Sequence, residues 1–204
     1  MRVTVALVAL AAATALMPLQ AAAQADPDKV LRVAFPVAET GFDPQASNDL
    51  YSNHICRAIF DPPYTYDYLA RPYKLIPNTA VALPEISADG RTWTFRIKPG
   101  IYFNDDPAFK GKKRELTAAD YIYSWKRVLD PKVRSQSLQI FDDLFEGSNA
   151  ALAKAKEAGK LDYDAPMEGL LALDRYTIRM KLKRPSYDLL SNLTTVRLLR
   201  LPAK

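Results

Sequence analysis

The 204-residue sequence predicts an α/β fold in which a helix packs against a sheet. Three stretches carry that prediction. In TWTFRIK, residues 92–98, Trp93, Phe95 and Ile97 fall on one side of the chain, while Thr92, Thr94, Arg96 and Lys98 fall on the other. That is the two-residue period of a half-buried strand. In YTIRMKL, residues 176–182, Tyr176, Ile178, Met180 and Leu182 alternate with Thr177, Arg179 and Lys181 in the same way. Between them, Tyr121, Ile122, Trp125, Val128 and Leu129 recur at helical spacing. Large apolar faces of matching length need cover, and laying helix 117–129 on the strands provides it.

The N-terminus reads as an address and not as structure. Arg2 is followed by an uncharged run from Val3 to Met17, then Pro18, then small residues. An apolar run of about 15 residues is short for a bilayer span and suits a signal peptide. Ala23-Gln24-Ala25 fits the small-x-small cleavage pattern, which makes residues 1–25 a signal peptide and Asp26 the first mature residue. Losing Arg2 takes Lys+Arg from 28 to 27 against 23 acids, so the net charge moves from +5 to +4. The charges are interspersed, whereas a nucleic-acid binder gathers them in a patch or stripe. The densest basic run, Lys110 to Arg114 (KGKKR), reads as a solvated loop tip. Cys56 is the single cysteine, so no intrachain disulfide framework is expected in an exported, oxidising setting.

Along the chain, LRVAFP (31–36) reads as a short strand and TGFDPQ (40–45) as a turn. Residues 47–60 have helical spacing, with Ser47 or Asn48 as the cap, and Asp61-Pro62-Pro63 ends that helix. The prolines of 64–86 forbid a long helix there, which leaves short extended pieces and one brief helical turn. Asp89-Gly90 signals a hairpin. Lys98-Pro99-Gly100 reads as a second corner, after which Ile101 and Phe103 resume the alternation. Thr117 with Asp120 three residues on resembles a capping box, and Asp130-Pro131 stops that helix. A weaker helix is expected at 149–158 before Gly159, and a last helical piece at 187–193.

No side-chain set for catalysis emerges. His54 and Cys56 could begin a metal site, but two residues apart on a helix they diverge, and no further His or Cys closes it. The same geometry defeats a Cys-His nucleophile. Asp105-Asp106 and Asp142-Asp143 are adjacent carboxylates, whereas glycoside hydrolysis needs two facing each other across a cleft. They read as turn and cap residues. The sequon Asn192-Leu193-Thr194 reads as incidental. Tyr64, Tyr66, Tyr68 and Tyr73 could stack on a ligand, but with no polar constellation beside them they are expected to pack the loop onto the domain.

The order of segments is itself informative. IFDPPYTYD, then IPNTAVALPEISADGRTWTFRIKPGIYFND, LTAADYIYSWKRVLD and ALDRYTIRMKLKRPSYDLLSNL carry L-x-P-x-x-A, D-G-x-T-W-T-F and L-T-A-x-D in sequence. This series, over residues 31 to 196, resembles the extracellular solute-binding proteins of peptide-type ABC importers, the oligopeptide-, dipeptide- and nickel-binding family 5. The resemblance implies a periplasmic-binding-protein-like α/β fold. Here it would be an incomplete first lobe with a mixed sheet and packed helices, in a family whose members run several hundred residues further. It implies that 26–59 hold the first strand and helix of the core domain, that 60–195 form the accessory domain, and that 196–204 are an atypical tail of a truncated copy.

The resemblance also implies function. The chain would be the periplasmic substrate-binding component of an importer, partnered by a peptide and by ABC permease subunits, with no nucleic acid, no cofactor and no enzymatic step. In such proteins the peptide pairs with main-chain groups by strand addition. The matching segment here is Ala38, Glu39, Thr40 and Gly41. With the second lobe absent, weak or no peptide binding is expected of this chain alone. The competing readings are an exported hydrolase using Asp105 or Asp142, and a stand-alone interaction domain with Tyr64 to Tyr73 exposed.

Overall fold

The structure, a computed structural model, describes residues 28–141 and 143–195. The signal segment 1–25, Asp142 and the tail 196–204 lie outside the described residues. Among the described residues, 28–35 belong to one unit and those from Pro36 onward to a second. In the first unit, residues 28–35 are exposed and adopt no strand. The strand expected at 31–36 is therefore not formed. A strand exists only where a neighbour takes up its N–H and C=O groups, and exposed residues leave those groups to water.

In the second unit, α1 spans Leu50–Ile59. Its cap is Asp49, whose carboxylate accepts from the Ser52 amide at 2.8 Å, rather than Ser47 or Asn48. Two short strands follow, β1 (Tyr64–Tyr66) and β2 (Leu75–Pro77), paired with each other as a separate antiparallel ribbon. No helical turn interrupts 64–86. Next come β3 (Glu85–Ile86) and β4 (Thr92–Arg96), joined by the Asp89-Gly90 turn. Gly90 has φ +69°, the left-handed region that this turn signal anticipates. Beyond the helices α2 (Ala118–Lys126), α3 (Leu138–Phe141) and α4 (Ser148–Ala158) lie β5 (Leu170–Ala172), β6 (Thr177–Lys181) and α5 (Leu189–Asn192).

The main sheet has the order β3-β4-β6-β5. Sheet and packed helices are present as expected, but every ladder among the described residues is antiparallel. Register places Trp93 opposite Met180 and Phe95 opposite Ile178, and Leu170 also faces Met180. All five are buried, so the apolar face read from alternation is the face that builds the core. Helix α2 supplies Tyr121 and Trp125 to the same core, continued by Val128 and Leu129 in the 3₁₀ turn Arg127–Leu129. The Phe95 and Trp125 rings lie 6.3 Å apart and Tyr64 stands 5.6 Å from Phe95. The Trp93 ribbon and the Trp125 helix thus share one interior.

The corner at Lys98-Pro99-Gly100 differs from expectation. Ile101 and Phe103 do not continue a hairpin with β4. Phe103 donates its amide to Arg114 at 2.9 Å and Leu116 donates to Ile101 at 2.8 Å. The alternation was real, but its partner lies beyond the basic loop. The capping box expected from Thr117 and Asp120 is formed in both directions at the start of α2. The Asp120 carboxylate accepts from both the Thr117 amide and hydroxyl, each at 2.7 Å, while Arg114 bridges to its other oxygen.

Two consequences are measurable. A Cβ on Gly169 would stand 2.6 Å from both the amide nitrogen and the carbonyl oxygen of Glu146. Those atoms are held in place because Gly169 donates its amide to that same carbonyl. Gly169→Ala is expected to lower stability by about 2 kcal/mol, the ordinary cost of overpacking, read by urea unfolding. Glu115 accepts from Arg175, the Gly100 amide and the Tyr176 hydroxyl at 2.7, 2.8 and 3.0 Å. The Arg175 contact, first among these, holds its carboxyl down to about 2. A folded-state value below the unfolded one stabilises fully above the ordinary carboxylate range, and the contribution is lost as pH falls through about 2. The stability gap between wild type and Glu115→Gln is expected to be constant near neutrality and to close between the ordinary carboxylate range and about pH 2. Equilibrium unfolding at stepped pH measures it.

Candidate functional site

Residues 38–41 lie on a loop fastened to the helical layer at three points. First, Thr40 donates its amide to the buried Ser52 hydroxyl at 2.9 Å and its own hydroxyl to Asp49 at 2.5 Å. Second, Asp43 folds the loop on itself: Ala46 and Ser47 donate their amides to its carbonyl at 3.1 Å, and Gln45 donates to its carboxylate at 3.2 Å. That carboxylate also takes both arms of Arg127, at 2.6 and 3.2 Å. Third, Gln45 reaches the Ser124 carbonyl of α2 at 2.5 Å and accepts the Gln136 amide at 3.0 Å. A fork-on-carboxylate pair fixes orientation as well as distance.

Electrostatics support this anchoring. The Ser52 donors, with the Thr40 hydroxyl added, hold the Asp49 carboxyl well below its usual range. It is therefore an anion throughout the neutral range, caps α1 and grips Thr40 at once. Among the four residues expected to face a ligand, Ala38, Glu39 and Thr40 are exposed and Gly41 is half-buried. The Thr40 amide is already committed to Ser52, so it is not a free donor for a peptide strand. Sequence reasoning missed Asp49, Ser52, Asp43 and Arg127. An Asp-x-x-Ser spacing was legible as a cap signal, whereas the partnership of Asp43 with Arg127 spans 84 positions and has no local signature.

The other sequence candidates separate. His54 is exposed and Cys56 buried on opposite sides of α1, and no group of metal-ligating side chains forms among the described residues. Burial pushes the Cys56 thiol up. Asp106 caps the 3₁₀ turn Pro107–Phe109 through the Ala108 amide at 2.8 Å, and Asp105 beside it is exposed. Asp143 pairs with Lys183 at 2.6 Å and Arg184 at 3.1 Å. Asp106 is thus a cap and Asp143 a turn residue and ion-pair partner, and the Lys110–Lys113 run is an exposed loop.

The tyrosines depart from expectation. Tyr64 is fully buried, but Tyr66, Tyr68 and Tyr73 are 46%, 88% and 77% exposed. Only the first anchors the loop. The tip of the β1–β2 ribbon carries the other three outward, with Tyr66 and Tyr73 edge to face at 5.8 Å.

Comparison with known proteins places this architecture. The family described as bacterial extracellular solute-binding proteins, family 5 Middle, matches residues 74–200. The chain is 30% identical over 184 residues to the di/tripeptide-binding protein 2 of Pseudomonas aeruginosa. That match covers 85% of this chain and 30% of the relative. It is 31% identical over 117 residues to the periplasmic murein peptide-binding protein MppA of Escherichia coli, covering 55% of this chain and 18% of the relative. In structure it is similar to the OppA of Burkholderia pseudomallei, with a TM-score of 0.61 at 24% identity over 83% of this chain and 29% of that one. The chain spans about a third or less of the length of the proteins it matches. On the extent of the family match, the chain belongs to the bacterial extracellular solute-binding proteins, family 5.

Proposed function

We propose that this chain serves as the solute-binding component of an ABC importer for peptides, delivered to the periplasm by the signal segment 1–25 and handing its ligand to membrane permease subunits. The observation that carries the reading is the family match over 74–200, together with 30% identity across most of the chain to a protein named for binding di- and tripeptides. Residues 26–59 would belong to a core domain and 60–195 to an accessory domain of one lobe, with 196–204 as a tail. A binding component works by shifting between open and closed populations, so it needs no catalytic set.

The loop at 38–41 is the proposed main-chain contact. Its anchors at Thr40, Asp43 and Gln45 would hold it rigid, and rigidity before binding lowers the ordering cost of capture. Pairing then falls to Ala38, Glu39 and Gly41, with Thr40 contributing its carbonyl. Main-chain pairing from one side is weak, so calorimetric titration of this chain with mixed di- to pentapeptides is expected to show weak binding, in about the millimolar range. Saturation in the micromolar range would contradict the account of the loop. The function is tested by uptake: deleting the gene should lower import of a labelled tripeptide, and restoring it should recover import.

The exposed rings of Tyr66, Tyr68 and Tyr73 favour a second reading, an interaction domain that docks through the ribbon tip. Under it, gene deletion leaves tripeptide uptake unchanged.

A further inference from the structure

A cavity of about 450 Å³, lined by none of residues 38–41, opens between the end of α1, the 101–109 segment and α2. Its size suits a small organic molecule. Its composition is one-sided. Of the sixteen residues that line it, four are aspartates and six carry aromatic rings, and none is a lysine, arginine or histidine. Asp120, one of the four, is already bridged to Arg114, which leaves Asp61, Asp105 and Asp106 to set the charge of the lining in a chain of net charge +5. Phe103 and Phe109, 6.4 Å apart, belong to the aromatic part of the lining. Asp61, Asp105 and Asp106 are exposed lining residues, so their charge sits on the solvent side.

Aromatic faces with carboxylates beside them attract cations by ring quadrupole and by charge together. The chain's own side chains already behave this way. Lys113 lies over the Tyr102 ring at 5.9 Å and Arg114 over the Phe103 ring at 5.7 Å. A neutral apolar ligand would gain nothing from the aspartates, and an anion would be repelled by them.

We propose that this cavity is a binding site for a small organic ammonium, a positive nitrogen carried on an apolar body. The apolar body lies against the Phe103–Phe109 pair, whose rings already touch each other. The charged head stays near the aspartates, where partial hydration lowers its desolvation cost. The site does not depend on the proposed peptide contact.

The test uses the intact chain at low salt, with calorimetry and amide NMR shifts as readouts. Benzyltrimethylammonium is the probe, with benzyl alcohol as the neutral comparator and benzenesulfonate as the anionic one. The cation is expected to bind saturably and about tenfold more tightly than the alcohol, with the anion silent. Shifts should centre on residues 101–109 and 120–124. Asp105→Asn, at an exposed position with little bearing on folding, should weaken cation binding severalfold and leave the alcohol unchanged. Glu157→Gln, an equal charge change on the exposed face of α4, should leave both unchanged. Equal binding of cation and alcohol would overturn the proposal. So would shifts centred elsewhere, an equal loss in Glu157→Gln, or no saturable cation binding.

Discussion

Trp125→Ala is expected to lower the stability of the folded unit by about 3–5 kcal/mol, the range for deleting a large buried aromatic. Trp125 is fully buried. Its ring is in contact range of Phe95 on β4, at 6.3 Å, and of Tyr121 one helical turn away, at 5.4 Å. Removing it opens a void between sheet and helix that the neighbours cannot close. Phe95 is held by the β4–β6 ladder, and Tyr121 is tied through its hydroxyl to Asp61 and Thr79 at 2.9 and 2.6 Å. A domain with ordinary stability of about 5–15 kcal/mol loses a large share of it.

The indole nitrogen refines the prediction. It is buried with no hydrogen-bond partner among the described residues. Trp125→Phe keeps most of the ring volume and removes that unpaired donor, so its cost should be about 1 kcal/mol. Urea unfolding followed through the remaining Trp93 fluorescence measures both. Equal losses in the two variants would mean that the ring volume kept by phenylalanine does not carry the stability at this position.

What the sequence disclosed follows from what local spacing encodes. The faces of β4 and β6 and the stripe of α2 were legible because burial imposes a period on side chains, and Trp93, Phe95, Ile178 and Met180 obey it. The turn at Asp89-Gly90 was legible because the left-handed region favours glycine. The segment at Leu31 to Phe35 alternated just as well and formed no strand, because pairing is a property of two segments and alternation of one. Ile101 and Phe103 were misassigned for a related reason. Their partners, Arg114 and Leu116, follow a basic loop that carries no pairing signal. Tyr66, Tyr68 and Tyr73 looked like core by type, but residue type does not say which way a ribbon tip points.

The candidate site was the least legible part. Its position came from a resemblance, while its rigidity comes from side chains far apart in sequence. Asp43 lies in a turn and Arg127 just past the end of α2, 84 positions apart, so no local pattern joins them. Only the fold brings them together, and it does so where water is nearly excluded from Arg127, which is 3% exposed.

That burial makes Asp43→Asn the more revealing substitution at the site. The amide keeps the shape of the carboxylate and can still accept from the Gln45 amide, so the turn survives. What disappears is the charge opposite a guanidinium with almost no access to water. Breaking one side of a buried pair costs about 3–5 kcal/mol, most of it the penalty for the stranded partner. Asp43 keeps 34% of its side chain in water, which places the expected loss near the lower end, about 3 kcal/mol. Arg127→Met on top of Asp43→Asn removes the stranded charge. It should recover most of the loss, because a well-packed apolar side chain can replace a buried pair at little cost. Urea unfolding of the four members of this cycle gives the coupling. Amide hydrogen exchange then locates it: in Asp43→Asn, protection should fall at Ala46 and Ser47, whose amides the Asp43 carbonyl holds. It should also fall at Thr40, while the β4 and β6 amides change only in step with global stability. A loss under about 0.5 kcal/mol, the size typical of an exposed pair, would mean that Arg127 finds water or another acceptor in solution, and that the loop at 38–41 is not held by this bridge.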